Sequence, residues 1–212
     1  MFDAQVEPLL TPIALDPAHP FPRVLNKSLN FILELDGEDA FGRKAGIAVV
    51  QAPRVLPRVI PVPAAISGRA HGMMLLTSIV QAFVGRLFPG MRVLEVHQFR
   101  LTRNSDLFVD DEEVTDLREA LQGELLQRQF GDAVRLEVSA DTPERLVERL
   151  LREFGLSGRD CYRVPGPVNL VRLQQVISLA NRPDLVFPAT EPSVPAVFRG
   201  RDLFAAIRRK QS

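Results

Sequence analysis

The chain has 212 residues, 26 of them basic and 26 acidic, so its formal net charge at pH 7 is zero. A chain of this length buries a core without disulfides or metal, and its balanced charge excludes a global field that attracts nucleic acid. The single cysteine and three histidines lack zinc-binding spacing, and the longest apolar stretch is about half the roughly 20 residues of a membrane span. The sequence predicts a cytoplasmic domain without signal peptide or membrane span.

The first sixty residues predict three strands after an extended segment. Residues 1–28 carry prolines at positions 8, 12, 17, 20 and 22, which fix φ too often for a regular element. Leu29 to Leu35 places its apolar residues on one face with the two-residue period of a strand. With the apolar runs Gly46 to Gln51 and Arg58 to Val62, it predicts an antiparallel meander whose last strand lies at an edge.

A helix and a long strand follow. From Leu76 the apolar positions have helical spacing until Pro89-Gly90 stops them. In the strand Arg92 to Arg103, Leu94 and Val96 share one parity, whereas Phe99 and Leu101 share the other. One extra residue reconciles the two phases, which predicts a β-bulge near His97 or Gln98.

The second half of the chain alternates helices and short strands. We predict a helix from Asp110 to Gly131, a strand at Val134 to Val138, a helix from Thr142 to Gly155, a strand at Cys161 to Val164, a helix with Leu170, Leu173, Val176 and Ile177 inside, an extended segment at Arg182 to Pro195, and the start of a helix at Asp202 to Lys210. The predicted fold is α+β: a mixed, mostly antiparallel sheet of about six strands with four main helices packed largely on one face.

The strand end at Arg103 carries the candidate binding residues. Arg100 and Arg103 precede the turn signal Asn104-Ser105-Asp106, and Lys27 is a further nearby candidate. Guanidinium and ammonium groups fixed on a rigid strand suit contact with an anion. The alternative is that these arginines form the ion pairs and turn hydrogen bonds that fix the fold.

Other chemical groups favour structural interpretations. His97 lacks a carboxylate partner apparent from the sequence, and Cys161 lacks an adjacent base, so we predict neither as a nucleophile. The acidic residues Asp110 to Glu113 fit a helix start better than a metal site. No glycine loop with phosphate-cradling spacing is present. We predict no catalytic residue, cofactor or metal ligand in this chain.

Five segments in order resemble a known family. They are Leu10 to Pro22, Leu25 to Asn30, Phe88 to Met91 followed by Phe99 to Asn104, Gly166 to Leu170, and Asp202 to Arg208. Together they resemble the middle, or head, domain of the histidine-phosphorylating polyphosphate kinases. The resemblance covers residues 1–212, with 1–28 as the extended N-terminal segment and 202–212 as the truncated start of a connecting helix.

The resemblance implies an enzyme larger than this fragment. The full-length protein would reversibly transfer the terminal phosphate of ATP to polyphosphate through a phosphohistidine outside this chain. An upstream domain would help hold the adenine, and two downstream domains would carry the histidine and the phosphate- and Mg²⁺-binding residues. This fragment would be inactive alone.

Within that enzyme, this domain would form dimer contacts, and Arg100, Arg103 and Lys27 would be candidates for touching polyphosphate. The implied location is cytoplasmic, with membrane association of the full-length protein left open. The alternative function is a stand-alone module of the same fold that binds a phosphorylated ligand or a protein partner.

Overall fold

A computed structural model describes residues 2–15, 21–38, 42, 46–104, 131–193 and 203–210. The chain divides into two compact units, Met1–Ala180 and Asn181–Ser212. The first unit contains all the strands named below.

The first unit is built on a six-stranded sheet. Its neighbouring strands are antiparallel except for the last pair, which is parallel. In spatial order the strands are β1 (Thr11–Leu15), β3 (Ile47–Gln51), β2 (Leu29–Gly37), β6 (Met91–Arg103), β7 (Ala133–Ser139) and β8 (Cys161–Val164). The predicted α+β class and the mixed, mostly antiparallel sheet are confirmed. A separate antiparallel pair is formed by β4 (Val59–Val62) and β5 (Gly72–Leu75).

The helices are short. The α-helices are α1 (Ala64–Ser67), α2 (Leu76–Phe83), α3 (Glu144–Phe154), α4 (Gln175–Ala180) and α5 (Leu203–Lys210). A π-helix spans Phe2–Val6, and 3-10 turns span Glu7–Leu9, Val84–Leu87, Gly158–Asp160, Leu170–Gln174 and Pro183–Leu185. The helix predicted from Asp110 lies outside the described residues.

One strand of the predicted meander belongs elsewhere. The run that begins at Arg58 forms β4, which pairs with β5 and not with the main sheet. The neighbour of β3 on that side is β1, from the segment whose prolines predict no regular element. Pro12 is tolerated there because β1 is an edge strand, where a missing N–H need not break a ladder.

The bulge predicted in β6 exists, but at a different residue. Glu34 pairs with Glu95 and Leu35 pairs with Val93, so Leu94 is the extra residue. Leu94 is 48% exposed. The change of parity between Val96 and Phe99 is ordinary alternation, because Val96 packs against one core cluster and Phe99 belongs to the cluster on the other face. The predicted position at His97 or Gln98 is therefore wrong.

The core lies on both faces of the sheet. Strand β2 separates the two halves, because Phe31 and Leu33 enter one cluster and Ile32 enters the other. The α2-side core includes Leu29, Phe31, Leu33, Leu76 and Val80. The α3-side core includes Ile32, Phe99, Leu101, Leu136, Leu146 and Leu150. The predicted packing largely on one face is therefore incomplete, since α3 covers the second apolar face of β6 and β7.

The stretch that leads into α4 also differs from its prediction. Its helical spacing predicts buried apolar residues, yet Leu170 is 57% exposed and Ile177 is 64% exposed. The contact that holds this stretch is polar: Gln175 Oε1 accepts the backbone N–H groups of Arg58 and Val59.

Candidate anion-binding residues

Arg100 lies in an ion-pair cluster on the sheet. Its Nη1 lies 2.8 Å from one carboxylate oxygen of Glu137, whose other oxygen lies 2.9 Å from Arg135 Nε. The Arg135 guanidinium in turn stacks 3.7 Å from the ring centre of Tyr162. The Glu137 side chain is only 13% exposed, so it is held between two arginines. The cluster has one negative and two positive charges, and it supports both a structural role and a residual attraction for anions.

Arg103 and Lys27 are joined through the turn before β2. Arg103 donates from Nε to the carbonyl of Val24 and from Nη1 to the carbonyl of Gly131, at 3.1 and 2.9 Å. The Lys27 N–H donates to the carbonyl of Leu101, and Lys27 has a positive φ of 56°. Burial lowers the pKa of the Arg103 guanidinium. These contacts tie the turn to the end of β6.

The structure therefore brings the three predicted residues to the same strand end, but the two arginines differ in direction. Arg100 pairs with Glu137, opposite it on β7, whereas its neighbours Phe99 and Leu101 enter the α3-side core on the other face. Arg103 follows the parity of Leu101 and binds the backbone of Val24, a member of that core. One extended anion would have to cross from one face of β6 to the other to contact the guanidinium groups of both Arg100 and Arg103.

His97 has carboxylate neighbours that the sequence did not reveal. Its Nε2 lies 3.4 Å from Glu95 and its Nδ1 lies 3.7 Å from Asp141. Glu95 is two residues away on the same strand, a spacing that places both on one face; Asp141 comes from a distant turn. The imidazole is largely buried, with 9% of the side chain exposed, so an incoming substrate has little access to it.

Cys161 has the surroundings of a core residue. Its half-buried side chain packs against the α3-side core, and burial raises the pKa of the thiol. A raised pKa lowers the thiolate fraction and hence the nucleophilicity. Among the described residues, no group of three or more His, Cys, Asp or Glu side chains could hold a metal ion. Asp110 to Glu113 lie outside the described residues.

Sequence reasoning missed a second group of arginines. Arg58 begins the apolar run of β4 and is only 8% exposed. Burial, followed by repulsion from Arg172 and Arg54, lowers the pKa of its guanidinium to about 10. An arginine at the start of an apolar strand was the available signal, but nothing in the sequence indicated that Arg172, more than one hundred residues later, lies near it.

The architecture defines the chain as an α+β domain with a mixed central sheet and arginines at its margins. A family model described as the polyphosphate kinase middle domain matches residues 1–176, and the chain belongs to the polyphosphate kinase family. This confirms the resemblance seen in the sequence. None of the helices within the described residues has the length and apolar character needed to cross a membrane.

Relatives agree with this membership, and a solved structure shares the fold. The chain is 62% identical over 201 residues to a polyphosphate kinase of Burkholderia multivorans, covering 94% of the chain and 29% of that protein. It is 61% identical over 186 residues to a polyphosphate kinase of Paraburkholderia phytofirmans, covering 88% of the chain and 27% of that protein. The crystal structure of polyphosphate kinase from Porphyromonas gingivalis has the same fold, with a TM-score of 0.65 and 18% identity over 98% of this chain and 29% of that one.

Proposed function

We propose that the full-length protein containing this chain is a polyphosphate kinase that reversibly transfers the terminal phosphate of ATP to polyphosphate. The observation that carries the proposal is the 62% identity to a polyphosphate kinase along nearly the whole chain. The chain spans 29% of that relative's length. A phosphohistidine intermediate and the residues for ATP and Mg²⁺ then belong to parts of the protein outside this chain.

Within that enzyme, the proposed role of this domain is accessory and dimer-forming. Its rigid two-sided core suits a scaffold, and several large apolar side chains in one short stretch remain exposed: Leu170, Val171, Val176, Ile177 and Leu179. Exposed apolar side chains grouped in this way are typical of interaction surfaces. Sedimentation equilibrium of the 212-residue chain tests autonomous dimerisation, and a strict monomer at high concentration would contradict it.

A secondary contact with polyphosphate at Arg100, Arg103 and Lys27 is part of the proposal. Support comes from the positive balance of the Arg100 cluster and from the rigid strand that carries it. The test is an amide-resolved NMR titration with long-chain polyphosphate at low and then physiological salt. Shifts that cluster at the end of β6 and vanish in an Arg100→Ala/Arg103→Ala variant support the contact. A flat titration assigns polymer binding to parts of the protein outside this chain.

A chimera tests the enzymatic proposal directly. The matching segment of the Burkholderia multivorans enzyme is replaced by this chain, and ATP-dependent polyphosphate synthesis is measured. We expect the chimera to be active and the 212-residue chain alone to be inactive. The matched control is the chimera with Leu33→Asp, which places a charge at a fully buried position and should abolish activity by unfolding the domain. A folded but inactive chimera would count against the proposal.

A further inference from the structure

A small pocket opens beside the first turn of α2. Its volume is about 20 Å³. That volume holds roughly one water-sized group. The pocket is lined by the polar residues Arg58, Thr77, Asn169 and Arg172 and by apolar residues that include Leu29 and Val168. None of the lining residues, all of which belong to the described part of the chain, is acidic.

Arg58 lines this pocket and carries an unused hydrogen-bond donor. Its Nη1 is buried and has no hydrogen-bond partner among the described residues. The backbone around it is fixed, because its N–H donates to Gln175 Oε1 at 2.8 Å and its carbonyl accepts the Leu76 N–H at 2.8 Å. A buried, charged donor without an acceptor is costly, so a bound acceptor beside it would be a stabilising partner.

The electrostatics around the pocket favour an anion as that partner. Arg172 lies exposed at the pocket, and Arg54 is a further exposed cation close enough to disfavour the charge of Arg58. With a pKa near 10, Arg58 still carries its proton at pH 7. The N-terminus of α2, at Leu76, adds the positive end of its dipole. Two arginines and a helix N-terminus thus border the pocket without an acidic residue in the lining, and Arg54 adds positive charge nearby.

We propose that Arg58 and Arg172, with the N-terminus of α2, form a binding site for a phosphoryl group. One phosphoryl oxygen occupies the pocket and accepts from Arg58, while the remaining oxygens stay at the mouth, within reach of Arg172. A tetrahedral oxyanion fits this division better than a planar carboxylate, because its oxygens point in more than two directions. The group is supplied either by free inorganic phosphate or by a unit of a polyphosphate chain. The site stands on its own geometry and does not depend on the proposed kinase activity.

The test measures the binding of phosphate ligands to the 212-residue chain by NMR at constant ionic strength. Inorganic phosphate and tripolyphosphate are titrated separately, with sodium chloride and acetate as reference anions. We expect saturable shifts at Leu75 to Thr77 and Val168 to Leu173. Saturation by inorganic phosphate assigns the site to the free ion, and saturation by tripolyphosphate alone assigns it to the polymer. An equal response to phosphate and acetate, or none to either phosphate ligand, overturns the proposal.

Substitutions separate a specific site from general charge. Arg172→Gln removes an exposed guanidinium and should weaken phosphate binding about tenfold. Arg58→Met should abolish binding while leaving the thermal midpoint without phosphate unchanged or higher, because it removes an unpaired buried charge. The matched control is Arg159→Gln, whose side chain is 89% exposed and which should change affinity less than twofold. If Arg58→Met does not fold, Arg172→Gln decides: an affinity equal to that of Arg159→Gln overturns the proposal.

Discussion

Glu137 bears on both interpretations of the predicted arginines. Its carboxylate bridges Arg100 and Arg135, so the arginine nominated from sequence as an anion contact already has a carboxylate from its own sheet. Charge-assisted hydrogen bonds of this kind are stronger than neutral ones when partly buried. The structural and binding roles of Arg100 are therefore separable by their effects on stability.

We expect Glu137→Gln to lower the free energy of unfolding by about 2 kcal/mol, because it weakens two charge-assisted hydrogen bonds at a site with little solvent. Arg100→Ala should cost about half as much, since Glu137 keeps Arg135. Urea unfolding measures both. The control is Glu148→Gln, the same change at an exposed position of α3, which should stay within about 0.5 kcal/mol. Equal losses in the Glu137 and Glu148 variants would contradict the bridging role.

Cys161 provides a second prediction at the scale of a residue. Because burial raises the pKa of its thiol, the folded chain should react with iodoacetamide more slowly than the urea-unfolded chain at pH 8. The direction in which stability changes with pH also follows from the raised pKa. A folded pKa above the unfolded value, which is about 8.5 for a free thiol, gives stability that is complete below the unfolded pKa and is lost as pH rises through the folded pKa. A faster folded-state reaction would mean that the thiol is activated.

Among the elements, β6 is the one whose details could be inferred only in part. Its strand character follows from alternation, a direct consequence of the pleat, but the change of parity between Val96 and Phe99 reflects two buried faces and not the bulge. The position of the bulge does not follow, because an exposed leucine has the same apolar side chain as a buried one. The pairing of Glu34 with Glu95 and of Leu35 with Val93 supplies the missing information.

Deletion variants test the position of the bulge. Removing Leu94 leaves Val93 directly before Glu95, so every pair with β2 is kept and the ladder becomes regular. We expect this variant to fold cooperatively with a loss of about 1 kcal/mol. Removing Gln98 instead turns one half of the strand to the other face and should prevent folding. Circular dichroism and urea unfolding compare the two. Equal tolerance of both deletions would argue against a bulge at Leu94.

At the scale of the whole molecule, the local signals predicted the class of fold but not which distant segments pair or lie close together. The helix α3 follows from its apolar stripe and from Gly155, whose positive φ of 64° ends it. The replacement of β4 by β1 in the sheet did not follow, since edge pairing is decided by distant segments. The Arg58 pocket could not be predicted for the same reason, because Arg58 and Arg172 lie 114 positions apart in the sequence.

The shared strand β2 predicts that the two cores unfold together. The chain has one tyrosine, no tryptophan and one cysteine, and these probes are neighbours on β8: Cys161 packs against the α3-side core, and Tyr162 stacks on Arg135. Leu76→Ala, in the α2-side core, should lower the free energy of unfolding by about 2–5 kcal/mol. Since Phe31 and Ile32 join the two cores through one strand, that loss should lower the urea midpoints of Tyr162 fluorescence and Cys161 labelling equally. Leu150→Ala, in the α3-side core, is the matched variant and should shift both probes in the same way. Midpoints that separate in either variant would show two independently unfolding cores, and the sheet would then be a boundary between them and not their common support.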